Sequence, residues 1–426
     1  MKIGIFTDAY NPTPSGVVTS INMLEKEMKS RGHEVYVFAP SKSQIKDNQN
    51  VYMLKSMPLV VAKQYKNRVA AFYSREIAKQ IKELNLDIIH TQSEFSLGLF
   101  GKIISRKFDI PFIHTYHTMW EDYIHYIIPI KGTRNIYPKR FARTFSKNFV
   151  TKAECIITPS KKTEKYLKYK CKIKNKSIYV IPTGIDIEPL KKENINSDDL
   201  DNLKKSLNIN KDDKVLLFLG RVAEEKSIDV ILNSMPNVFA SVPNAKLLIV
   251  GDGPSKLALE ELAKKLNIDD KVIFTGVAPR SDVPKYYNIA DVFVNASVTE
   301  TQGLTFIEAM ASSTPIVARY APNLSEFIVS GENGILVKHE KDFANTVISL
   351  LNNEQLMQKL AKNGFKTANK YSLKEFGDKL EYVYSQIIEN YKLKKEYKTK
   401  QEAEKQKRNL YKKITSKLLT ITKLKK

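Results

Sequence analysis

Cysteine is nearly absent: Cys155 and Cys171 are the two in 426 residues. That is too few for a disulfide framework, and their surroundings lack the paired spacing of a zinc site, so both are expected to be ordinary reduced thiols. Long apolar runs are missing too. Nothing approaches the roughly 18 residues that cross a bilayer, and "KVLLFLG" and "KLLIVG" have the length of buried strands. The N-terminal "MKIGIFTDAY" turns polar after one short apolar run and lacks the central segment of a signal peptide, which points to the cytoplasm. Acidic residues are in deficit, 46 against 69 Lys and Arg, leaving a net charge of +23. Such a charge attracts nucleic acid or an acidic membrane surface. A genome-wide bias toward Lys would spread the excess evenly, yet the segment from Tyr391 to Lys426 holds fourteen Lys or Arg and three Glu.

What is present describes a packed globular protein: 42% apolar residues, 21 Tyr and 19 Phe, in a chain long enough for two domains. Strand-like runs alternate with helical patterns from the first residue, the signature of parallel α/β architecture. "KIGIFTDAY" is the first expected strand. After the turn "PSG" comes a helix with Val17, Ile21, Leu24 and Met28 on one face and Gly32 at its end. "HEVYVFAP", "LDIIHTQ", "IPFIHTYH" and "ECIITPS" continue the series, giving a first domain over residues 1–187. A polar stretch then separates it from a second, over residues 188–370, with strands at "KVLLFLGRV", "AKLLIVGDG", "KVIFTG", "ADVFVNAS" and "PIVARY". Residues 371–390 read as an amphipathic helix capped by Ser372, and residues 391–426 as a basic tail.

Three sites carry chemistry. In "TPSGVVTS", Gly16 lets a bulky group approach the backbone, and the helix behind it offers free N–H groups to an anion. The same turn also serves plain strand–helix packing. In "GRVAEEKSID", Arg221 and Lys226 emerge where a strand enters the next helix, a placement that suits a departing diphosphate, while solvated surface cations remain the other reading. In "TETQGLTFIEAMA", Gly303 marks a helix start, with Glu300 in the loop before it and Glu308 in the second turn. Eight positions of helix would separate the two carboxylates by about 12 Å, beyond the spacing of a glycosidase acid/base pair. They can touch different parts of one extended ligand, or be surface glutamates.

In this order and context the three sites resemble those of retaining glycosyltransferases of the GT-B fold, over essentially residues 1 to 390. "SGVVTS" is similar to the family's glycine loop, "GRVAEEK" to its Arg/Lys clamp, "GDGP" at Gly251 to Pro254 to a recurrent turn, and "ETQGLTFIE" to its E-x7-E motif. The resemblance implies two Rossmann-like domains facing across a cleft, with the C-terminal helix folded back on the first. It implies Arg221 and Lys226 at the donor diphosphate, Glu308 at the ribose hydroxyls and Glu300 at the donor sugar, with Gly16 and the N–H groups near Gly303 and Leu304 at the phosphates. His117 in "YHT" is similar to the family histidine beside the sugar, so that His117, Glu300, Arg221 and Lys226 form the catalytic set. His114 is the rival, and either histidine also suits a strand-end hydrogen bond.

The strings "HTYHTMWEDYIHYI" and "FTDAYNPTPSGVVTSI" most resemble the diacylglycerol glucosyltransferases of wall-less and Gram-positive bacteria, with Trp120 where many relatives have Tyr. That resemblance implies transfer of glucose from UDP-glucose to 1,2-diacylglycerol with retention, giving α-monoglucosyldiacylglycerol, and no metal or other cofactor. The expected partners are the nucleotide sugar, diacylglycerol and anionic lipids at the inner face of the cell membrane. Three basic regions suit such docking: Lys63, Lys66, Arg68 and Arg75; Lys139, Arg140, Arg143 and Lys147 among aromatics; and the tail. Two other readings exist, a soluble transferase elongating a polysaccharide and a nucleic-acid-binding module. The latter lacks a zinc-finger or RNA-recognition signature.

Overall fold

The computed structural model describes residues 1–11, 15–41, 45–46, 50–58, 68–121, 136–300 and 302–423. Among them are two open sheets. The first contains β1 (Lys2–Phe6), β2 (Glu34–Ser41), β3 (Ile45–Lys46), β4 (Val51–Pro58), β5 (Arg68–Ala70), β6 (Ile88–Thr91), β7 (Phe112–Thr115), β8 (Cys155–Thr158) and β9 (Ser177–Val180). Their order is β3-β4-β2-β1-β6-β7-β8-β9, with β5 beside β4. All pairs are parallel except the antiparallel β3–β4 and β4–β5 pairs. The second sheet is parallel throughout, with β10 (Lys214–Leu219), β11 (Ala245–Val250), β12 (Val272–Gly276), β13 (Val292–Asn295), β14 (Ile316–Arg319) and β15 (Ile335–Val337) in the order β12-β11-β10-β13-β14-β15.

Strands covered by helices on both faces must be apolar on both faces, which is why "KVLLFL" has no polar alternation. Val215 and Leu217 enter one cluster, Leu216 and Phe218 the other, and all four are fully buried. β1 divides the same way, Ile3 and Ile5 to one side and Phe6 to the other. In each sheet the chain order reverses beside the founding strand, between β1 and β6 and between β10 and β13. Loops that leave the carboxyl ends of strands at such a point diverge and leave a crevice for a ligand.

Local chemistry sets the ends of the helix after β1, Gly16–Ser30. The Ser15 hydroxyl accepts the Val18 N–H at 3.2 Å, and Val18, Ile21, Leu24 and Met28 form the buried stripe. It ends at Gly32, whose φ of +79° lets the His33 N–H return to the Met28 carbonyl at 3.0 Å. The C-terminal helix runs Leu373–Lys423, its first turn capped by Ser372. Phe376, Leu380, Val383 and Tyr384 lie in the same cluster as Ile3 and Ile21. Each such buried side chain contributes roughly 1.5–3 kcal/mol, enough to hold the helix on the first sheet. The Tyr384 hydroxyl bonds His90 Nδ1 at 2.7 Å, and Arg31 reaches Asp378 at 2.8 Å and Glu381 at 2.9 Å. The helix does not stop near residue 390, where the sequence suggested a separate tail. It has neither Gly nor Pro beyond Gly377 and is rich in Lys, Glu and Gln, all good helix formers.

Candidate active site

On the second sheet, the loop after β10 carries Gly220, Arg221 and Val222, and the "GDGP" turn after β11 lies directly against it. A Cβ on Gly251 would sit 1.8 Å from the Gly220 carbonyl oxygen, so only glycine permits this contact of backbone on backbone. The Val222 N–H donates to the Asp252 carbonyl at 2.9 Å, fixing the turn. The helix expected to carry Lys226 begins later. Glu224–Lys226 form a single 3-10 turn, Ser227 takes a left-handed φ of 49°, and the helix spans Ile228–Ser241. Ser297 and Thr299, in the loop after β13, donate their hydroxyls to the Glu225 carbonyl at 3.1 and 3.2 Å. That joins the Arg/Lys turn to the segment holding Glu300. The Arg221 guanidinium meets Glu225, and the Lys226 ammonium meets Glu300.

Gly303, with φ of +83°, opens the helix Leu304–Ala311, and Glu308 lies in its second turn as expected. The Glu308 side chain is buried, and the Tyr287 hydroxyl donates to its Oε2 at 2.9 Å. Desolvation pushes the Glu308 carboxyl above the ordinary carboxylate range, with the Arg280 charge and the Tyr287 bond opposing.

The first sheet meets this surface through the segments that follow two of its strands, β1 and β8. A Cβ at Gly16, after β1, would stand 4.0 Å from Leu304 Cδ1, so the two helix N-termini confront each other. After β8, the N–H groups of Lys161 and Lys162 donate to the two Glu326 carboxylate oxygens at 2.9 and 2.8 Å, and Lys162 Nζ reaches the Glu300 carbonyl at 3.2 Å. Gln302 clasps the Thr183 backbone, accepting its N–H at 2.8 Å and donating to its carbonyl at 3.0 Å. Arg280 donates to the Thr19 hydroxyl at 3.1 Å. Between the β1 and β8 contacts lie the loops after β6 and β7, which hold Gln92 and His117.

The two candidate histidines differ in their bonding. His114 is fully buried with both ring nitrogens engaged, Nδ1 by Thr91 at 2.8 Å and Nε2 by Glu94 at 3.2 Å. Among the described residues, His117 bonds through Nε2 alone, toward Gln92 Oε1 at 2.7 Å. Burial, reinforced by nearby His114, pushes the His117 imidazolium down to about 3, so the ring is neutral at physiological pH. Glu94 also accepts the Trp120 indole N–H at 3.1 Å, and Phe95 packs edge-on to Trp120 at 4.8 Å.

Of the proposed membrane-facing cations, Lys63 and Lys66 lie outside the described residues. Arg68 is tied to Ser56 and Arg143 to Glu121, each with its Nε as a donor, at 2.9 and 2.8 Å. Arg75, Arg140 and Lys147 are exposed, and Lys139 is half-buried. Sequence reasoning missed Gln92, Glu94, Glu225, Arg280, Gln302 and Glu326. The local signal for Gln92 and Glu94 was the polar "TQSE" at the carboxyl end of an apolar strand, the position where ligands bind in such sheets, while Glu225 and Gln302 lie inside two motifs already quoted.

Residues 14–189 match the model of Glycosyltransferase Family 4 and residues 199–367 that of Glycosyl transferases group 1. The chain is 38% identical over 353 residues to the alpha-monoglucosyldiacylglycerol synthase of Streptococcus pneumoniae, covering 82% of this chain and 78% of that one. It is 32% identical over 403 residues to the enzyme of the same name from Acholeplasma laidlawii, covering 93% and 100%. Among solved structures, Anabaena HepE in complex with UDP-glucose superposes with a TM-score of 0.69 at 16% identity, over 91% of this chain and all of that one. Sucrose-phosphate synthase from Thermosynechococcus elongatus does so with a TM-score of 0.71 at 21% identity, over 91% and 99%. With two Rossmann-like domains, a glycine turn opposed to an E-x7-E helix and this degree of identity, the chain belongs to the GT-B glycosyltransferases, in the family of the alpha-monoglucosyldiacylglycerol synthases.

Proposed function

We propose that this enzyme transfers glucose from UDP-glucose to the free hydroxyl of 1,2-diacylglycerol, retaining the α configuration and releasing UDP. The observation that supports the reading is the approach of Gly16 to Leu304 at the N-terminus of the Leu304–Ala311 helix, with Arg221 paired to Glu225 and Lys226 to Glu300, in a chain this similar to two enzymes of that name. Arg221 and Lys226 receive the diphosphate, whose charge grows as its bond to the sugar C1 breaks. The free N–H groups at Gly303 and Leu304 add the positive end of a helix dipole. Glu308 accepts from the ribose hydroxyls through Oε1, the oxygen that Tyr287 leaves alone. The acceptor oxygen attacks C1 on the face the UDP leaves, and its proton passes to the departing phosphate. His117, being neutral, orients the sugar by hydrogen bonding rather than by charge. The two cations supply the charge for which other transferases use a metal, so a chelator leaves the rate unchanged.

No helix among the described residues is long and apolar enough to cross a membrane. The enzyme reaches its lipid by docking on the anionic cytoplasmic leaflet through Arg75, Arg140, Lys147 and the basic end of the C-terminal helix. Phe141, 62% exposed on the same helix as Arg140 and Lys147, adds an apolar contact. Near an acidic surface each cation is worth roughly 1 kcal/mol, and salt weakens the attraction. Incubation with labelled UDP-glucose, UDP-galactose or GDP-mannose and diacylglycerol vesicles tests the reading. Label from UDP-glucose alone is expected in the extracted lipid. Label confined to the aqueous phase, in free sugar or polysaccharide, would defeat it.

A further inference from the structure

The loop after β6 places a buried amide beside His117 that is only half satisfied. Gln92 is 3% exposed, and its backbone N–H is fixed on the Phe6 carbonyl at 2.8 Å. Its Oε1 takes the hydrogen bond from His117 Nε2 at 2.7 Å, while its Nε2 has no hydrogen-bond partner among the described residues. A neutral imidazole carries one N–H. The amide oxygen therefore selects the tautomer with hydrogen on Nε2, leaving Nδ1 as an acceptor. An amide N–H buried without a partner is costly, and a ligand oxygen is the usual remedy at a site built to hold one. The place is right for that, since Gln92 leaves the sheet at its switch point, between the two contacts that bring the domains together.

We propose that Gln92 acts in the transfer itself, setting the tautomer of His117 through Oε1 and donating from Nε2 to a substrate hydroxyl oxygen. This rests on the glucosyl-transfer reading above and adds a contact to it. The hydroxyl belongs either to the donor hexose or to the lipid acceptor. The titratable groups around the pair are His90, His114, Glu94 and Asp8, none of which bonds to the ring nitrogens of His117 or to the Gln92 amide.

The test compares Gln92→Leu and Gln92→Glu with the wild-type enzyme on UDP-glucose and diacylglycerol vesicles. Gln92→Leu lowers kcat by roughly tenfold or more while the calorimetric affinity for UDP is unchanged. Gln92→Glu keeps the acceptor for His117 but loses the donor. Its carboxylate also raises the imidazole pKa, so kcat gains a limb that falls toward acid pH and is absent from the wild type. Deoxy analogues of UDP-glucose identify the oxygen. If it is on the hexose, the Leu penalty shrinks with the one analogue lacking that hydroxyl, leaving the part due to the lost His117 contact. If it is on the acceptor, the penalty persists with every analogue and KM for diacylglycerol rises. Wild-type kcat and KM in Gln92→Leu, with an unchanged pH profile in Gln92→Glu, overturn the proposal. So does a loss of UDP affinity with a lowered Tm, which would make Gln92 structural. Wild-type lipid glucosylation stands as the separate check on the underlying reading.

Discussion

Each cation of the proposed diphosphate clamp is held by a carboxylate, Arg221 by Glu225 and Lys226 by Glu300. A diphosphate entering the cleft exchanges those partners for its own oxygens, so the cations arrive oriented rather than solvated. Arg221→Ala and Lys226→Ala should each slow transfer tenfold or more, since one such contact contributes about 2–4 kcal/mol to the transition state. Glu308→Ala acts earlier: calorimetry should show weaker UDP binding, and an unchanged affinity contradicts the ribose contact. His117→Ala should lower kcat with the fold intact. His114→Ala instead strips a partner from buried Glu94 and should lower Tm. Because burial holds the His117 pKa near 3, its ring stays neutral from pH 6 to 8, and kcat of the wild-type enzyme should show no imidazole ionisation there. The E-x7-E and Arg/Lys spacings were legible because each lies within one short segment. Gln302 and Glu326 were not, because their partners, Thr183 and Lys161–Lys162, are far away in sequence and meet them only through the order of strands.

At the scale of elements, the apolar runs disclosed the buried strands of both sheets, since a covered parallel strand has no polar face to blur it. β4 escaped because Lys55 and Ser56 interrupt "VYMLKSMP", the price of lying toward an edge beside the antiparallel β3 and β5. The C-terminal helix was legible where its apolar residues repeat against the first sheet. Its continuation was hidden by charge, which reads as a solvated tail although Lys and Glu are strong helix formers. The helix is still tied down at Tyr391, bonded to Asp109 at 2.8 Å, and at Lys394, paired with Glu154 at 2.8 Å. Leu393, at 56%, and Tyr397, at 64%, are exposed. Truncation after Glu396 should therefore spare the fold, lowering Tm little. Sedimentation with phosphatidylglycerol vesicles should weaken without being abolished, because Arg75, Arg140 and Lys147 remain. Equal binding by both forms to neutral and anionic vesicles, indifferent to salt, contradicts electrostatic docking.

For the whole molecule, the domains are joined by a few polar clasps, Gln302 on Thr183, Glu326 on Lys161 and Lys162, and Arg280 on Thr19, around the loops that carry Gln92 and His117. Such contacts suit a cleft that must admit a nucleotide sugar, since polar pairs exchange with water more readily than an apolar interface. On the proposed docking, the charge of +23 supplies the attraction between this cleft and an acidic surface that holds the lipid acceptor. The most direct test follows the sugar itself. Purified enzyme is incubated with UDP-glucose labelled with carbon-13 at C1 and diacylglycerol in phosphatidylglycerol vesicles, and the extracted lipid is read by NMR. The account predicts one glucose on each product molecule with the small anomeric coupling of an α linkage. A β-linked product, or label that never enters the lipid phase while UDP is released, would contradict it.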